Sequence, residues 1–360
     1  MPSINTPLKA VILVGGPGTR LQPLTYQTPK SMMPVLNRPF LEHTLAYLKR
    51  FGVKDIILTL NYLPEVIQDY FSNGNDAGVR LTYCIEDNPM GTAGAVKNVE
   101  PYLDGTFIVL NGDIFTDMDL ADMINFHRQK RAKATISLKW VDNPSAFGVI
   151  ETAHDQSVMR FIEKPPPGEA ATNWINAGTY ILEPDVLRHI PANSHYMFER
   201  GLFPLLLKLG EPVYGYPFSG YWLDMGTPEK YFSLNSDLLL SKTTSPLIDG
   251  HDKDVVTYGQ NVDIHPSATI IAPVIIGSNC RIGEGTSIRG PVVIGANCYL
   301  GNGATIENAV LWSHDRVGAN ASLKQCVISD NINIEPERQL LNCMVTPSEI
   351  KLLYQPPGAG

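Results

Sequence analysis

Residues 275–301 read IIGSNCRIGEGTSIRGPVVIGANCYLG, and an aliphatic side chain returns at every sixth position of this stretch. The spacing continues on both sides, so that the aliphatic positions are Ile264, Ile270, Ile276, Ile282, Ile288, Ile294, Leu300 and Ile306. A small or β-branched residue follows four positions after each of them, namely Ala268, Val274, Cys280, Thr286, Val292, Cys298, Ala304 and Val310. A short fixed period is typical of a parallel β-helix, in which each coil buries its aliphatic side chains against the next coil.

Glycine follows the aliphatic residue at several positions where such a helix must turn a corner, namely Gly277, Gly283, Gly295 and Gly301. Three six-residue steps make one triangular coil, which places Cys298 above Cys280. The two thiols could form a disulfide, but a reducing compartment favours stacked reduced thiols. The pattern breaks at 312–315 and resumes at Val317 and Leu323, which predicts a β-helix over 259–345 and a tail over 346–360.

The first 240 residues alternate apolar strands with amphipathic helices. Strands are predicted at 10–14, 56–60, 79–85 and 106–110. Helices are predicted from Pro64 and Thr92, and an earlier helix is expected to have Asn37 as its cap and Pro39 in its first turn. Repeated units of this kind build a mostly parallel sheet with helices on both faces, so an α/β domain is expected over residues 1–240.

Beyond Lys130 the alternation is less regular, and we expect strands at 135–140, 147–151 and 179–182 to form an antiparallel extension of the sheet. Residues 241–258 are polar and rich in turn-forming residues, which indicates a linker. The fold class is therefore α/β with a mostly parallel sheet, followed by a β-helix of hexapeptide repeats.

Composition narrows the class of protein. The chain has 360 residues and a net charge of −8, and no run of Lys and Arg indicates a nucleic-acid surface. No apolar stretch reaches the roughly 18 residues needed to span a bilayer, and Met1–Pro7 has no signal-peptide character. Five cysteines are too few and too irregular for a disulfide framework. We therefore expect a cytoplasmic protein without nucleic-acid or membrane partners.

One loop carries the chemistry. Gly15-Gly16-Pro17-Gly18-Thr19-Arg20-Leu21 follows the first apolar strand, and Pro29-Lys30 comes nine residues after it. Glycines let backbone N–H groups approach an anion closely, and the two cations offset its charge. The spacing fits neither the dinucleotide fingerprint nor the P-loop. A tight turn would explain the glycines but not Arg20 and Lys30, so the loop favours a polyphosphate site at the carboxyl ends of the strands.

A series of motifs in the same order as in a known family accompanies this loop: Gly15–Leu21, Pro29-Lys30, Gly91-Thr92-Ala93-Gly94, Asn111-Gly112-Asp113, Phe147-Gly148-Val149, Glu163-Lys164-Pro165, Asn176-Ala177-Gly178 and Trp222-Leu223-Asp224. Together with the hexapeptide repeats, they resemble the sugar-1-phosphate nucleotidyltransferases, and within that family the mannose-1-phosphate guanylyltransferases. The resemblance implies a Rossmann-like catalytic domain, a left-handed β-helix and Mg²⁺ as cofactor. It also implies transfer of a nucleotidyl group to a sugar-1-phosphate with release of pyrophosphate.

The resemblance implies roles for individual residues. The nucleotide-binding residues are Val14, Gly15, Gly16, Gly18, Thr19, Arg20, Lys30, Gly91, Thr92 and Gly112. The sugar-phosphate residues are Gly148, Glu163, Lys164, Asn176 and Trp222. Asp113 and Asp224 would hold Mg²⁺, and they form the catalytic set together with Arg20, Lys30 and Lys164.

Taken alone, several of these residues have plainer interpretations. Asp113 could be a turn residue, Asp224 a helix cap before Thr227-Pro228, and Glu163-Lys164 a solvated ion pair. The glycines around Thr92 leave room for a purine, but they could equally serve to open a helix. At position 147 the family commonly has tyrosine, and Phe147 lacks that hydroxyl.

Other functions stay open from the sequence. The same loop would serve a glucose-1-phosphate enzyme that uses dTTP, UTP or ATP. A non-catalytic regulatory subunit is disfavoured because the five catalytic positions are present. An acyltransferase site on the β-helix would need His265 or His314 as its base. We expect self-association through the β-helix into a homo-oligomer, because its open ends present unpaired edges.

Overall fold

The computed structural model describes residues 8–250 and 252–354. Expectations for Met1–Pro7, for His251 and for residues 355–360 of the tail lie outside the described residues. The α-helices are α1 Phe40–Arg50, α2 Pro64–Phe71, α3 Gly91–Asn98, α4 Leu120–Lys130, α5 Phe203–Lys208 and α6 Pro228–Leu239.

The strands fall into two groups along the chain. The first group is β1 Lys9–Leu13, β2 Pro34–Val35, β3 Arg38–Pro39, β4 Asp55–Leu60, β5 Arg80–Ile85, β6 Phe107–Asn111, β7 Ile114–Thr116, β8 Ala134–Trp140, β9 Gly148–Thr152, β10 Val158–Glu163, β11 Trp174–Leu182, β12 Val213–Phe218 and β13 Trp222–Asp224. The second group is β14 Val256–Tyr258, β15 Asp263–Ile264, β16 Thr269–Ile271, β17 Val274–Ile276, β18 Arg281–Ile282, β19 Ser287–Ile294, β20 Tyr299–Leu300, β21 Thr305–Leu311, β22 Arg316–Val317, β23 Ser322–Ile328, β24 Asn333–Ile334, β25 Gln339–Val345 and β26 Ile350–Leu352.

The chain divides into two compact units, and the division does not follow the order of the sequence. The sheet unit contains the described residues up to Pro17 together with Thr44–Trp222. The solenoid unit contains Gly18–His43 and the described residues from Leu223 onward. The sequence-based boundaries after residues 240, 258 and 345 stay predictions.

A nine-stranded sheet forms the centre of the sheet unit. Its main path runs β10-β9-β11-β6-β1-β4-β5, with β8 beside β11 and β12 beside β8. Strands β6, β1, β4 and β5 are parallel, whereas β11 is antiparallel to both β6 and β8. This arrangement confirms the predicted parallel sheet with an antiparallel extension. Strand β11 begins at Trp174, earlier than predicted, because Trp174–Asn176 pair with β8 before a register shift.

The solenoid unit contains a left-handed parallel β-helix whose coils stack in register. Ile282 pairs with Leu300 eighteen residues later, and the cluster of buried residues in the interior contains Cys280 and Cys298. All five cysteines are free. After Ile306 the coil shortens, because the pairing of β19 with β21 shifts register between Arg289 and Val292. Ala309 therefore pairs with Val292 and belongs to the interior cluster, whereas Val310 pairs with Val293 and is also buried. Val317 and Leu323 resume the interior pattern as predicted.

Segment Gly18–His43 belongs to the solenoid unit because its short hairpin, β2 with β3, packs on helix α6, which in turn packs on β19 and β21. Asn37 does not cap α1. It adopts a positive φ of 63° in the hairpin turn and donates from Nδ2 to the carbonyl oxygen of Ile294 at 2.8 Å. Helix α1 begins after it, at Phe40.

The predicted linker has packed side chains in the solenoid unit. Ser245 is 1% exposed, and its Oγ lies 2.7 Å from Nδ1 of His43, whose Nε2 contacts the carbonyl oxygen of Val35. Burial lowers the pKa of His43 to about 4, so the imidazole is neutral at physiological pH. The region between the repeats and α6 is therefore held in place by buried polar contacts.

Candidate active site

In the sheet unit, the glycine loop and the Asn111-Gly112-Asp113 motif lie at neighbouring strand ends. Leu13 at the end of β1 pairs with Asn111 at the end of β6. The N–H of Gly112 donates to the carbonyl oxygen of Leu13 at 2.9 Å. A Cβ at Gly112 would lie 2.4 Å from Cγ1 of Val14, so only glycine fits beneath the loop. The two motifs therefore support each other through their backbones.

The loop itself combines a tight glycine with an open one. A Cβ on Gly15 would lie 3.3 Å from Cβ of Asn61, whereas a Cβ on Gly16 would meet nothing within 4 Å. The backbone at Gly16 is thus accessible to a ligand. Asp113 is half-buried, one residue beyond Gly112. These positions are compatible with the predicted contact between the loop and an anion.

The small residues at the start of α3 have a packing role that the sequence did not show. Backbone N–H groups of Ala93 and Gly94 donate to the carbonyl oxygen of Tyr196. A Cβ on Gly91 would lie 2.7 Å from that oxygen, and one on Gly94 would lie 2.6 Å from the carbonyl oxygen of Ser194. Segment 194–196 therefore fills the space at these two glycines, and their small size carries no argument for a purine.

A buried polar network joins Thr92 to Asn176. The Thr92 hydroxyl donates to Oε2 of Glu199 at 3.0 Å, and Tyr180 donates to Oε1 of the same carboxyl at 3.4 Å. Asn176 in turn donates from Nδ2 to the Tyr180 hydroxyl at 2.8 Å. Burial, with a smaller contribution from the charge of Glu163, raises the pKa of Glu199. Glu199 thus connects a predicted nucleotide residue with a predicted sugar residue.

Sequence reasoning missed Glu199. Its only signal was an acidic residue in the stretch 197–207, which has Arg200 as its other charged residue. The residue lies in a single π-helical turn, Phe198–Leu202, and one such turn often occurs at a functional site. Nothing in the sequence linked it to Thr92 or to Asn176.

The predicted sugar-phosphate residues gather around the start of β9 and the end of β10. Gly148 pairs with Glu163 across these strands, and a Cβ on Gly148 would lie 2.9 Å from the Glu163 carboxylate. Lys164 follows with a positive φ of 49°, and its Nζ lies 3.9 Å from Oε1 of Glu163. The Lys164 side chain is 61% exposed, so its ammonium group extends into solvent.

Two aromatic residues stand beside this group. The ring of Phe147 meets Trp222 edge to face, with centroids 5.5 Å apart. Trp222 donates from Nε1 to the carbonyl oxygen of Ala177, next to Asn176. A tyrosine at position 147 would keep this ring contact and add a hydroxyl, so Phe147 preserves the packing of the motif.

In the solenoid unit, basic side chains surround Asp224. Nζ of Lys30 lies 3.9 Å from Oδ1, and Nζ of Lys230 lies 3.8 Å from Oδ2. The guanidinium of Arg20 lies against Gly226, where a Cβ would be 2.7 Å from a terminal nitrogen of Arg20 and 3.0 Å from Oδ1 of Asp224. One carboxylate therefore faces several cations.

The local backbone explains how these side chains converge. Gly18 adopts a positive φ of 62°, and its carbonyl oxygen accepts a hydrogen bond from the Thr25 hydroxyl. Arg20 and Lys30 each lie in a short 3₁₀ turn, Thr19–Leu21 and Lys30–Met32. The bend at Gly18 and the two turns bring both side chains toward the start of α6.

Asp224 is not the cap of α6. The Thr227 hydroxyl accepts the hydrogen bond from the N–H of Lys230 at 3.5 Å, and Pro228 occupies the first turn. Thr227 therefore caps α6, and the Asp224 carboxylate faces Lys30 and Lys230. Lys230 was missed by the sequence reasoning, because a lysine in the first turn of a helix has no signature of its own.

The two predicted metal ligands, Asp113 and Asp224, carry carboxylate oxygens, which are the donor type that Mg²⁺ prefers. No group of three or more His, Cys, Asp or Glu side chains with metal-binding geometry occurs among the described residues. Mg²⁺ is usually held by one or two carboxylates, with phosphate oxygens and water in its other positions. Asp113 and Asp224 stay the predicted ligands of Mg²⁺.

The structure thus brings together two sets of predicted residues, one in each unit. The sheet unit holds Val14, Gly15, Gly16, Gly91, Thr92, Gly112, Asp113, Gly148, Glu163, Lys164, Asn176 and Trp222. The solenoid unit holds Gly18, Thr19, Arg20, Lys30 and Asp224. His265 and His314 are exposed and contact Ser267 and Asn297 within the repeats, with no feature that indicates an acyltransferase base.

Comparison with known proteins assigns the family. The family described as "Nucleotidyl transferase" matches residues 9–241, nearly two thirds of the chain. The chain belongs to this family. It is a sugar-1-phosphate nucleotidyltransferase, and residues 253–353 match the "EIF2B subunit epsilon LbH domain", a left-handed β-helix. Among the described residues, no helix combines the length and apolar character that crossing a membrane requires.

Relatives of this nucleotidyltransferase carry more than one specificity. The mannose-1-phosphate guanylyltransferase of Mycobacterium tuberculosis is 39% identical over 272 residues, 74% of each chain. The UTP–glucose-1-phosphate uridylyltransferase of Synechocystis is 34% identical over 362 residues, 94% of this chain and 93% of the relative. The crystal structure of HddC from Yersinia pseudotuberculosis has a TM-score of 0.56 and 33% identity, and it covers 63% of this chain and 98% of its own. HddC has also been crystallised with GMP-PN.

Proposed function

We propose that this nucleotidyltransferase transfers a guanylyl group from GTP to mannose-1-phosphate, with Mg²⁺ and with release of pyrophosphate. The observation that carries the proposal is the convergence of Arg20, Lys30 and Lys230 on Asp224 at the end of the glycine loop. A nucleoside triphosphate is the most highly charged substrate of this family, and such a cluster suits its phosphates.

The reaction needs no activated side chain as nucleophile. An oxygen of the sugar phosphate forms a bond to the α-phosphorus, while the bond between that phosphorus and the bridging oxygen to the β-phosphate breaks. Pyrophosphate leaves with the electron pair of that bond. Because both reactants are anions, the barrier is lowered chiefly by alignment and by neutralisation of charge.

Arg20 and Lys30 are assigned to the departing β- and γ-phosphates. The N–H groups near Gly15 and Gly16 would add hydrogen bonds to the same triphosphate. Asp113 and Asp224 would hold Mg²⁺, which supplies a fixed positive charge to the phosphate oxygens. Lys230 joins this set because its ammonium group faces the same carboxylate as Lys30.

The sugar phosphate is assigned to the sheet unit. Lys164 would bind the attacking phosphate, and the Glu163 carboxylate and Asn176 amide would contact sugar hydroxyls. The Gly148 backbone and the Trp222 ring complete this group, since Gly148 lies against Glu163 and Trp222 lies beside Asn176. A carboxylate and an amide are suitable partners for hydroxyl groups, because they accept and donate in fixed directions.

The choice of GTP and mannose rests on relatives. The Mycobacterium tuberculosis relative is named for mannose-1-phosphate, and HddC has been crystallised with a guanine nucleotide analogue. A relative from Candida albicans, 38% identical over 271 residues, carries the name mannose-1-phosphate guanyltransferase. These names support the guanylyl assignment for this chain.

A second candidate is uridylyl transfer to glucose-1-phosphate. It is favoured by the Synechocystis relative, whose similarity extends over the β-helix as well. Purified protein with Mg²⁺ should be tested with GTP, UTP, dTTP and ATP against mannose-1-phosphate and glucose-1-phosphate. The proposal predicts that GTP with mannose-1-phosphate gives the highest kcat/KM for pyrophosphate release. A higher value for any other pair would replace it.

A regulatory role is the alternative of a different class, since the C-terminal region matches a domain named for a translation-factor subunit. A regulator would be expected to lose charged residues at the phosphates, whereas Arg20, Lys30, Asp113, Lys164 and Asp224 are all present. Absence of pyrophosphate release with every pair would favour this role.

We also propose that the protein forms a homo-oligomer through the β-helix. The last coil and β26 expose Leu341, Ile350 and Leu352, each more than half accessible to solvent. Apolar side chains on an edge strand favour self-association. Light scattering at micromolar concentration should show a mass above that of one chain, and a monomer would contradict this.

A further inference from the structure

Trp312 lies where the hexapeptide pattern breaks, and it has no role in the proposed reaction. The side chain is 3% exposed. Its Nε1 donates to the hydroxyl of Tyr231 on helix α6 at 2.8 Å, and the two rings meet edge to face with centroids 6.4 Å apart. Trp312 therefore connects the β-helix to α6 through a directed hydrogen bond.

Tyr231 is in turn hydrogen-bonded to the segment that carries Lys30. It is fully buried, and its hydroxyl donates to the carbonyl oxygen of Pro34 at the start of β2. The direction of both bonds is fixed, because an indole N–H can only donate and a carbonyl oxygen can only accept. The Tyr231 hydroxyl cannot rotate without losing one of them. Two hydrogen bonds in series thus run from the β-helix to the hairpin.

Tyr231 and Pro34, the middle and last members of this series, each lie near a lysine of the cation cluster, which consists of Arg20, Lys30 and Lys230. Lys230 immediately precedes Tyr231, and Pro34 comes four residues after Lys30. The turn between them is fixed, because the N–H of Met33 donates to the carbonyl oxygen of Lys30. Nζ of Lys30 and Nζ of Lys230 face opposite oxygens of Asp224 at 3.9 and 3.8 Å. The bonds of Tyr231 therefore constrain how far apart the two lysine-bearing segments lie.

Further hydrogen bonds hold the same hairpin. The N–H of Leu36 donates to Oδ1 of Asn235 on α6 at 3.0 Å, and Asn235 donates to the carbonyl oxygen of Tyr231. At the tip, Asn37 reaches the carbonyl oxygen of Ile294 in the β-helix. The hairpin is thus bound to α6 and to the coils at separate points.

We propose that the β-helix positions the triphosphate-binding lysines, with Tyr231 and Trp312 as the positioning residues and Asn37 as a second anchor. The inference rests on the proposed role of Lys30 and Lys230 at the phosphates. In this role the β-helix holds residues of the active site in place, in addition to any role in assembly.

A positioning role and a simple packing role lead to different measurable effects when these residues are substituted. If these residues only pack, their loss should lower thermal stability and leave the kinetic constants of the folded enzyme unchanged. If these residues position the lysines, their loss should lower kcat/KM for the triphosphate. The KM for the sugar phosphate should stay unchanged, because Glu163, Lys164 and Asn176 belong to the sheet unit. A selective change in the kinetics of one substrate is therefore the deciding readout.

The experiment uses the full chain with GTP, mannose-1-phosphate and Mg²⁺, or with the preferred pair if another is found. Tyr231→Phe should lower kcat/KM for the triphosphate about tenfold, and Trp312→Phe about threefold, because small misplacements of catalytic groups slow reactions strongly. The KM for the sugar phosphate should stay within about twofold of wild type. The double variant should match Tyr231→Phe alone, since the shared bond is already lost.

Ile306→Val is the matched control, because it removes a methylene from the β-helix interior without touching the hydrogen-bond series. It should lower the melting temperature and leave both kinetic constants unchanged. Asn37→Gly tolerates the positive φ and removes the side chain with its amide donor, so it tests the second anchor even if Tyr231→Phe does not fold. It should again lower kcat/KM for the triphosphate selectively.

Two results overturn the inference. One is wild-type kinetics in folded Trp312→Phe, Tyr231→Phe and Asn37→Gly while Lys30→Met is impaired with the triphosphate. The other is an equal loss with both substrates. If Lys30→Met itself keeps wild-type kcat/KM for the triphosphate, the proposed role of the cation cluster fails instead, and the two failures are distinguished.

Discussion

Lys30 and Lys164 are both assigned to substrate phosphates, yet their surroundings differ sharply. Lys30 is 12% exposed and lies in a turn joined to a hairpin that is bound to α6 and to the β-helix. Lys164 is 61% exposed, follows a strand with a positive φ, and has Glu163 as its nearby charge. A long exposed side chain loses rotamer freedom when it binds, whereas a held one has already lost it.

The difference teaches how the two substrates are handled. Under the proposed assignment, the group for the triphosphate would be held in place before pyrophosphate departs. The group for the sugar phosphate would adjust to its ligand. The predictions below test this contrast, starting with the change that should have the largest effect on activity.

Loss of either carboxylate should have the largest effect, because it removes a ligand of the proposed Mg²⁺. Asp113→Asn and Asp224→Asn should each lower kcat/KM by about 100-fold or more. The fold should remain intact, as judged by circular dichroism and by a melting temperature close to that of wild type. Pyrophosphate release at saturating Mg²⁺ is the measurement. Near-normal turnover in both variants would refute the metal assignment.

Substitution of the two lysines should change the kinetic constants of different substrates. Lys30→Met should lower kcat/KM for the triphosphate about 30-fold, and Lys164→Met should raise KM for the sugar phosphate by a similar factor. Methionine keeps an unbranched side chain of similar length and removes the charge, so each variant is the control for the other. Initial rates with one substrate varied at a time separate the effects. If both variants affect the same substrate, the contrast between the regions is wrong.

Arg20→Ala should have a moderate effect that falls mainly on kcat. If the guanidinium meets charge that develops as pyrophosphate leaves, kcat should fall about tenfold while KM for the triphosphate changes less than threefold. Arg20→Lys is the matched control, because it keeps a cation without the planar fork, and it should recover part of kcat. A rise in KM with unchanged kcat would mean that Arg20 binds the ground state alone.

Phe147→Tyr should have only a small effect. The new hydroxyl keeps the edge-to-face contact with Trp222 and adds one donor beside the sugar group. KM for the sugar phosphate should fall by about twofold, with KM for the triphosphate unchanged. A change larger than tenfold in either constant would show that position 147 has a role that this structure does not account for.

Asp315→Asn should change stability and leave activity unchanged. Asp315 is fully buried in the β-helix, and burial raises its pKa to about 8, with a smaller contribution from the charge of Asp330. The folded chain therefore keeps a proton that the unfolded chain releases near pH 4, so the wild type loses stability as pH rises from about 4 to about 8.

In the Asp315→Asn variant this loss is absent, and its free energy of unfolding at pH 9 should exceed that of wild type by a few kcal/mol. Denaturant titrations at pH 5, 7 and 9 measure the difference. Parallel pH dependences of the two proteins would contradict the buried acid. The kinetic constants of the variant should equal those of wild type at pH 7.

Much of the fold could be predicted because its signals are local. The six-residue period fixes the β-helix, and alternating apolar strands and helices fix the parallel sheet. The glycine loop was expected at the carboxyl end of its strand, and the pairing of Leu13 with Asn111 explains why Gly112 lies beside it.

What the sequence missed depends on contacts between distant segments. Asn37 was expected to cap a helix, but its side chain donates a hydrogen bond to a β-helix coil more than 250 residues away in the sequence. The pairing of Ala309, and not Val310, with Val292 follows from strand register, which no single repeat encodes. Lys230 and Glu199 have no motif, and they are recognised only from their distance to Asp224 and to Thr92. The site residues themselves stay predictions until a ligand is bound.

The most direct test of the central claim is a crystal structure of the full chain with a non-hydrolysable GTP analogue and Mg²⁺. The account predicts β- and γ-phosphate oxygens within hydrogen-bonding distance of Arg20 and Lys30, and Mg²⁺ bound by Asp113 and Asp224. A triphosphate bound elsewhere, without contact to Arg20 or Lys30, would contradict it.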